Sequence, residues 1–286
     1  MNRQLRPLLL ILAALVGACG APPATSTVST PRAPASSSPT PLAGHITFAG
    51  STTMQPLVEK LAAVYRGRNP QVELEIAAGG SVVGINAVTD GSADIGMASR
   101  ELKPGERAPT TQRFVIAIDV LAVIVHHDNP VRQLSLEQLR RIYTGAVRNW
   151  QELGGSDTPI LPVIRETSSG TRGAFDELVL NGDALTAAAE ARVTAGEVQE
   201  RVASDAAAIG YVGFGNVNTG EVVVVAIDTI VPTPETAQDG SYPLTRPLLL
   251  LTGPLSRPLA RSFIDFVLSD EGQRLVAADG WVPVPR

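Results

Sequence analysis

Residues 165–171 have the sequence Arg165-Glu166-Thr167-Ser168-Ser169-Gly170-Thr171, and they precede a predicted helix that begins near Thr171 and runs through Phe175 and Val179. The start of a helix offers unpaired backbone N–H groups and the positive end of the peptide dipole. Glycine lets an anion approach the backbone, hydroxyl groups add donors, and a guanidinium matches a tetrahedral oxyanion. The segment therefore predicts a phosphate-type binding site. The alternative is a serine-rich loop that caps a helix, with Arg165 in a surface ion pair.

The first 18 residues predict a secretory signal. The whole chain has 286 residues, of which 44% are hydrophobic and 18% charged, as is typical of a globular protein large enough for two cores. Within residues 1–18, Arg3 and Arg6 form a basic region, and an apolar region runs from Leu8 to Val16. This apolar run is too short to span a bilayer, so it is interpreted as part of a signal peptide.

Cys19 follows the small residues Val16-Gly17-Ala18 and is the only cysteine in the sequence. This arrangement resembles a bacterial lipobox, which implies cleavage before Cys19, lipidation of the cysteine and an extracytoplasmic protein anchored to the cell membrane. The alternative is an ordinary signal with an unrelated cysteine. Residues 19–43 continue with Pro, Ser, Thr and Ala and have few large apolar side chains, so they are predicted to form a disordered tether.

The predicted mature chain is acidic. Loss of Arg3 and Arg6 with the signal changes the formal net charge from -5 to -7. A net-negative protein does not attract anions through its overall field, which argues against nucleic acid as a partner. A bound anion would therefore depend on a few local dipoles and one or two buried arginines.

From Gly44 onward, short apolar strands alternate with amphipathic helices, a pattern typical of an α/β protein with helices on both faces of its sheets. The predicted strands cover residues 45–50, 72–76, 94–97, 114–125, 160–164, 209–212, 221–227 and 248–251. The predicted helices cover residues 57–65, 85–88 and 136–143, most of 184–208, and a closing helix at 259–268. Sheets of this kind bind ligands beyond the carboxyl ends of their strands.

Loops rich in hydrogen-bond donors follow four of these strands. They contain Gly50-Ser51-Thr52-Thr53, Gly79-Gly80-Ser81, Ala98-Ser99-Arg100 and residues 165–171. Four such loops, each at the end of a strand, are difficult to explain as independent turns. Their joint occurrence favours an oxyanion site over a simple helix cap.

These loops resemble those of the phosphate-binding lipoproteins of bacterial high-affinity phosphate ABC transporters, which are type II periplasmic binding proteins. The resemblance covers nearly all of residues 44–286, and its most specific part is the spacing of Arg165 from Ser169-Gly170-Thr171. It implies a two-lobed α/β fold that closes on one dehydrated inorganic phosphate ion. Lobe I would comprise residues 44–122 and 242–286, and lobe II would comprise residues 123–241. The resemblance also implies a monomer that delivers phosphate to membrane permease subunits, without catalysis, a cofactor or a metal.

The resemblance further implies a set of phosphate-binding residues. Backbone and hydroxyl groups at the helix starts would donate hydrogen bonds, and Arg165 would bind two phosphate oxygens. The implied set is Ser51, Thr52, Thr53, Ser81, Ser99, Arg100, Asp119, Arg165, Ser168, Ser169, Gly170 and Thr171.

Asp119 belongs to this set because the chain departs from a family pattern. Some members carry an aspartate where this chain has Ser99, and that carboxylate accepts the proton of the bound phosphate. Asp119 lies in an apolar run, where a buried carboxylate is costly without a partner, and is the expected substitute. Near neutral pH phosphate keeps a P–OH group and sulfate does not, so a fixed acceptor would favour phosphate. A compatible alternative is a structural ion pair between the lobes, with Arg100 as partner.

Three other functions remain open at this level: binding of a different oxyanion, phosphate sensing for a signalling receptor, and hydrolysis of a phosphate ester. Hydrolysis is disfavoured because none of the three histidines lies in a donor-rich loop and no G-x-S-x-G elbow surrounds Ser81 or Ser169. His126 and His127 are consecutive at a strand end, where neighbouring side chains diverge, which favours a solvated turn over a metal site.

Overall fold

The computed structural model describes residues 41–284. The strands within them are β1 (Ala43–Gly50), β2 (Gln71–Ala78), β3 (Ile95–Ala98), β4 (Gln112–Val125), β5 (Gln133–Leu134), β6 (Leu161–Arg165), β7 (Glu190–Arg192), β8 (Ala208–Gly213), β9 (Val223–Ile227), β10 (Thr245–Thr252) and β11 (Val282–Pro283). The α-helices are α1 (Gln55–Arg68), α2 (Ser81–Asp90), α3 (Leu136–Thr144), α4 (Gly170–Phe175), α5 (Ala195–Ala203), α6 (Pro234–Gln238), α7 (Pro258–Val267) and α8 (Asp270–Ala278). The predicted signal peptide and residues 19–40 of the predicted tether lie outside the described residues. Along the described part of the chain, no helix combines the length and apolar character needed to cross a membrane.

The first three strands form a parallel arrangement whose carboxyl ends lie at one edge. β1 pairs in parallel with both β2 and β3, and Gly50 at its end is in register with Ala78 and with Met97. α1 buries Leu57 and Leu61 against this sheet, at the helical spacing seen in the sequence. The loops that leave these strands therefore start from a common edge.

Asp94, which directly precedes β3, forms hydrogen bonds that join β1 to the start of α7. Its carboxylate accepts hydrogen bonds from the backbone N–H of Thr47 at 2.9 Å and from Nε of Arg257 at 2.9 Å. Burial alone would disfavour the charged form, but the hydrogen bonds from Arg257 and Thr47 outweigh it and hold the pKa of Asp94 well below its usual range. The ionised carboxylate thus links β1 to the start of α7.

A second set of strands is built around β6 and β8. β6 pairs in parallel with β7 and β8, while β8 and β9 pair antiparallel with the end of β4. Its core contains the parallel stack of Phe175 on Tyr211, with ring centroids 3.9 Å apart, and the buried Tyr143 and Trp150. This core is separate from the one around α1.

β4 belongs to both sets of strands. Its first part pairs antiparallel with β10 and its last part with β8 and β9. Accordingly Ile116 and Ala117 lie in the core around α1, whereas Val123 and Val125 lie in the core around Tyr143. The predicted α/β class with helices flanking the strands is confirmed. The residue boundaries of the two lobes stay a prediction.

Two predicted helices need correction. Residues 184–208 are not largely helical, because β7 forms there beside β6 and the only α-helix is the shorter α5. The Ala-rich run before β7 has high helix propensity, but the backbone N–H of Thr186 is held by the carbonyl of Tyr143, and tertiary contacts override the propensity. The helix predicted at 259–268 does not close the fold, because Ser269 caps a further helix, α8, and β11 follows.

Candidate oxyanion-binding site

The loops after β1, β2 and β3 are tied to one another by their backbones. The carbonyl of Gly50 accepts hydrogen bonds from the N–H groups of Gly79 and Gly80, both at 2.9 Å, and the N–H of Ser51 donates to the carbonyl of Met97 at 3.0 Å. A Cβ at Gly50 would lie 2.2 Å from that carbonyl oxygen, so the close approach requires glycine. The shared strand edge thus becomes a shared loop cluster.

Three serines form a buried hydroxyl cluster within it. The Oγ of Ser51 donates to Oγ of Ser99 at 3.0 Å, and the backbone N–H of Ser99 donates to Oγ of Ser81 at 3.0 Å. Each serine is at most 2% exposed. Gly170, the first residue of α4, faces the cluster so closely that a Cβ there would lie 2.1 Å from Oγ of Ser81. The structure therefore brings the first three donor loops to the start of α4.

The threonines and Arg165 add a second contact between the loops after β1, β2 and β3 and the segment from Arg165 to the start of α4. The space between these two sides is called the gap below. The hydroxyls of Thr53 and Thr171 are hydrogen-bonded at 2.9 Å, and Nη2 of Arg165 donates to Oγ1 of Thr52 at 2.9 Å. The structure thus brings these four side chains together at one place, as the sequence predicted. Ser169, the N-cap of α4, accepts the N–H of residue 172 and still has its own hydroxyl hydrogen to donate.

Arg165 is buried without a carboxylate partner. It is 1% exposed, and its other hydrogen bonds go to the carbonyls of Arg192 and Val193. No carboxylate between residues 41 and 284 forms an ion pair with it, so the alternative of a surface ion pair is wrong. Burial lowers the pKa of Arg165 to about 10, and the positive charge of Arg246 acts in the same direction. A bound anion would supply the missing countercharge.

Ser168 connects the two sides of the gap. Its Oγ donates to the carbonyl of Gly79 at 3.2 Å and to the carboxylate of Glu166 at 2.6 Å, while its carbonyl accepts the N–H of Val82 at 3.0 Å. The hydroxyl hydrogen is therefore committed to protein acceptors. The hydrogen bonds of Ser168 therefore favour a role in holding the two loops together over the predicted role as a donor to phosphate.

Arg100 is placed differently from the sequence expectation. Its guanidinium forms a two-pronged ion pair with Glu106, with both N–O distances at 2.7 Å, and also donates to the carbonyl of Glu101. The suggested pairing of Arg100 with Asp119 is therefore wrong. The physical reason is that Glu106, in the turn that follows β3, offers a nearer carboxylate matched to the guanidinium fork.

Asp119 pairs instead with Arg246. Oδ2 of Asp119 accepts from Nε at 2.8 Å and from Nη2 at 2.6 Å, and Oδ1 accepts from the N–H of Phe214 at 3.2 Å. Complete burial raises the pKa of Asp119, and the Arg246 guanidinium opposes that shift. A carboxylate has about four acceptor positions, of which these hydrogen bonds use three, and the backbone N–H of Val120 also favours the charged form of Asp119.

Arg246 is the residue that sequence reasoning missed. It is 3% exposed and lies near the start of β10, in register with Asp119 on β4, between Thr245 and Pro247 and ahead of the apolar run 248–251. A charged residue inside an apolar run singles out Asp119, and this signal is weaker at Arg246, which only precedes such a run. What the sequence does not contain is the register that joins the two residues.

Comparisons with known proteins show the family to which this chain belongs. A family model described as a PBP superfamily domain matches residues 35–271. The phosphate-binding protein PstS of Bacillus subtilis is 33% identical over 244 residues, which cover 84% of this chain and 81% of the relative. The chain belongs to the PstS family within the PBP superfamily.

Two solved structures extend the match to PstS-type folds. One, from Clostridium perfringens, is a protein assigned as the substrate-binding protein of a phosphate ABC transporter, with bound phosphate; it is 38% identical, has a TM-score of 0.81, and the match covers 85% of this chain and all of that one. The other is an ABC-type phosphate transport receptor from Vibrio cholerae, which is 31% identical with a TM-score of 0.71 over 84% of this chain and all of that one. These neighbours confirm the type II periplasmic binding protein fold.

Proposed function

We propose that this protein captures inorganic phosphate outside the cytoplasm and delivers it to the permease of an ABC transporter. Membership of the PstS family supports this function, as do relatives whose names describe phosphate binding and phosphate transport. The relatives are substrate-binding proteins, which is consistent with a protein that binds its ligand without catalysis. The predicted lipid anchor at Cys19 is part of the proposal, and it would hold the protein at the membrane that contains the permease.

The observation that carries the proposal is the buried, carboxylate-free guanidinium of Arg165 beside clustered hydroxyl groups. Leaving such a cation without a countercharge in a buried site is costly, and an oxyanion would remove that cost. Thr52, Thr53, Thr171 and Gly170 lie at the same gap and could donate to the remaining oxygens of a tetrahedral ion.

The magnitudes are consistent with high-affinity capture. A Kd of about 1 μM corresponds to about 8 kcal/mol. Hydrogen bonds to a charged group contribute about 1.5–3 kcal/mol each, so several of them reach this value even after the costs of closure and ordering. A site built from one arginine and a ring of hydroxyl and amide donors therefore suffices.

We assign the preference for phosphate over sulfate to Asp119. The spare acceptor position on Oδ1 could take the hydrogen of a P–OH group, whereas a fully ionised sulfate would present only oxygens to the carboxylate. An acceptor left unpaired in a buried site costs about 1–3 kcal/mol, and more when it is charged. This difference would reject sulfate while admitting phosphate or arsenate.

The function is tested by thermal unfolding of the purified protein after removal of endogenous phosphate. A ligand that binds only the folded state raises the unfolding midpoint, so phosphate and arsenate are expected to raise it and sulfate and molybdate are not. A midpoint that does not respond to millimolar phosphate would contradict the proposal. Equal responses to all four anions would retain oxyanion binding but remove the assigned selectivity.

A further inference from the structure

Arg246 carries a buried hydrogen-bond donor that has no partner. Its Nε and Nη2 both bind Asp119, but Nη1 has no acceptor among residues 41–284 although it is shielded from solvent. Buried polar groups are normally paired, and an unpaired charged donor is especially costly. Such a group points to an acceptor that is supplied from outside the polypeptide.

The charges around this donor do not balance. Arg165 and Arg246 are both buried and close enough for the charge of Arg246 to lower the pKa of Arg165. Among the described residues Asp119 is the one carboxylate that forms an ion pair with either of them, while Glu166 and Glu197 act on Arg165 only through space. The two buried cations therefore share one directly paired carboxylate. A single bound oxyanion would give both guanidinium groups a direct anionic partner.

The Asp119–Arg246 pair also lies beside the proposed phosphate site. A Cβ built on Gly213 would lie 2.7 Å from Oδ2 of Asp119 and 2.9 Å from Cγ2 of Thr53, so the carboxylate and this threonine border the same small space. Arg246 also lines a cavity of about 90 Å³ together with Ala174 of α4 and the charged residues Glu101 and Glu177. The Asp119 carboxylate is thus placed beside Thr53, and Arg246 beside α4, the helix that contains Thr171, the partner of Thr53.

We propose that Arg246 is a second cationic ligand of the bound phosphate: Nη1 donates to a phosphate oxygen while Nε and Nη2 hold Asp119 in position. The N–H groups of Nε and Nη2 would then orient the Asp119 carboxylate, and those of Nη1 would share with Arg165 in compensating the charge of the dianion. Because this role rests on the proposed function, its test must separate the two.

The test is a calorimetric titration of phosphate into the wild type and into the variants Asp119→Asn and Asp119→Asn/Arg246→Gln. Arg246→Gln alone and Asp119→Asn alone would each leave one buried charge of the pair without its partner. Asp119→Asn is used because the asparagine oxygen can still accept a hydrogen bond from Arg246, and its unfolding midpoint without phosphate is measured to show that it folds. The double variant instead replaces the ion pair by a neutral amide pair, and its unfolding midpoint without phosphate reports whether it folds. A crystal structure of the wild type with phosphate gives the distance from Nη1 to the ligand directly.

We expect the double variant to bind phosphate about tenfold to 100-fold more weakly than Asp119→Asn, the effect of one hydrogen bond to a charged group. We also expect an Nη1–oxygen distance within about 3.2 Å in the complex. Equal affinities of Asp119→Asn and the double variant, or a complex in which Nη1 binds only water in its cavity, would overturn this role and leave the proposed function intact. A wild type that does not bind phosphate would overturn both.

Discussion

Gly170 offers a perturbation that should act on ligand binding and not on folding. Substitution by alanine would place a methyl group 2.1 Å from Oγ of Ser81 and 2.7 Å from Oγ of Ser99, far inside normal contact distance. These serines belong to the loops of the β1 sheet, and Gly170 starts a helix beside β6, so the clash exists only while the two sides are in contact. Overpacking of this kind costs about 1–3 kcal/mol, which corresponds to a Kd weakened about 5- to 150-fold.

The assay is calorimetric titration of phosphate, together with thermal unfolding in its absence. Gly196→Ala is a matched control, because Gly196 also lies in the first turn of a helix and the nearest atom to a Cβ there is Oγ1 of Thr194 at 3.8 Å. The control is expected to bind phosphate as the wild type does and to unfold at the same or a slightly higher temperature. Wild-type affinity in Gly170→Ala would refute the reasoning, because the serine cluster and the start of α4 could not then be in contact in the complex.

Four further outcomes are expected. Arg165→Ala should abolish calorimetrically measurable phosphate binding, since it removes the carboxylate-free cation of the site, and retained micromolar affinity would place the anion elsewhere. Asp119→Asn should narrow the ratio of phosphate to sulfate affinity, and an unchanged ratio would exclude Asp119 from selectivity. Gly80 has a φ of +93°, and a Cβ there would lie 2.4 Å from Oγ of Ser168, whereas Gly154 has a φ of +80° and open space around it. Gly80→Ala should therefore weaken phosphate binding more than Gly154→Ala, and similar losses of affinity in both would show that backbone strain alone is responsible. Asp94→Asn should lower the stability by about 1.5–3 kcal/mol at pH 7. Because the pKa of Asp94 is depressed in the folded state, the stability that its carboxylate contributes is present above the unfolded-state pKa of about 4 and is lost as the pH falls below it. The difference in unfolding midpoint between Asp94→Asn and the wild type should therefore be smaller at about pH 3 than at about pH 5.

The elements that the sequence predicts best are those whose pattern coincides with burial. β4 is a long apolar run rich in β-branched residues, and it is buried along most of its length, so its existence follows from composition. Its place between two cores does not, because that depends on which strands pair with each half of it. The prediction of a long helix over residues 184–208 is wrong because there the local pattern and the tertiary contacts disagree. The alanines of this region favour a helix locally, and only the pairing of β7 with β6, a contact distant in sequence, fixes the alternative.

The candidate site divides in the same way. The donor loops are local in sequence, because each combines small polar residues with a strand end, and the structure brings Ser51, Ser81 and Ser99 together as parallel strands require. The ion pair of Asp119 with Arg246 depends on the antiparallel register of β4 and β10, which joins residues 127 positions apart. Sequence reasoning could recognise that Asp119 needs a partner, but it chose the nearer arginine in the chain, Arg100.

The acidity of the protein and the cationic site together suggest how closure could depend on ligand. The chain carries a formal net charge of -5, yet Arg165 and Arg246 are buried with a single carboxylate between them. Burying two cations that share one ion-paired carboxylate makes the free energy of closing an empty site less favourable. A bound phosphate dianion supplies a countercharge and makes that free energy more favourable. A ligand shifts a conformational equilibrium only by its difference in affinity for the two states, and here that difference arises where the charge is uncompensated. We therefore expect the closed form to be favoured chiefly when phosphate is bound, which would let a membrane partner distinguish loaded from empty protein.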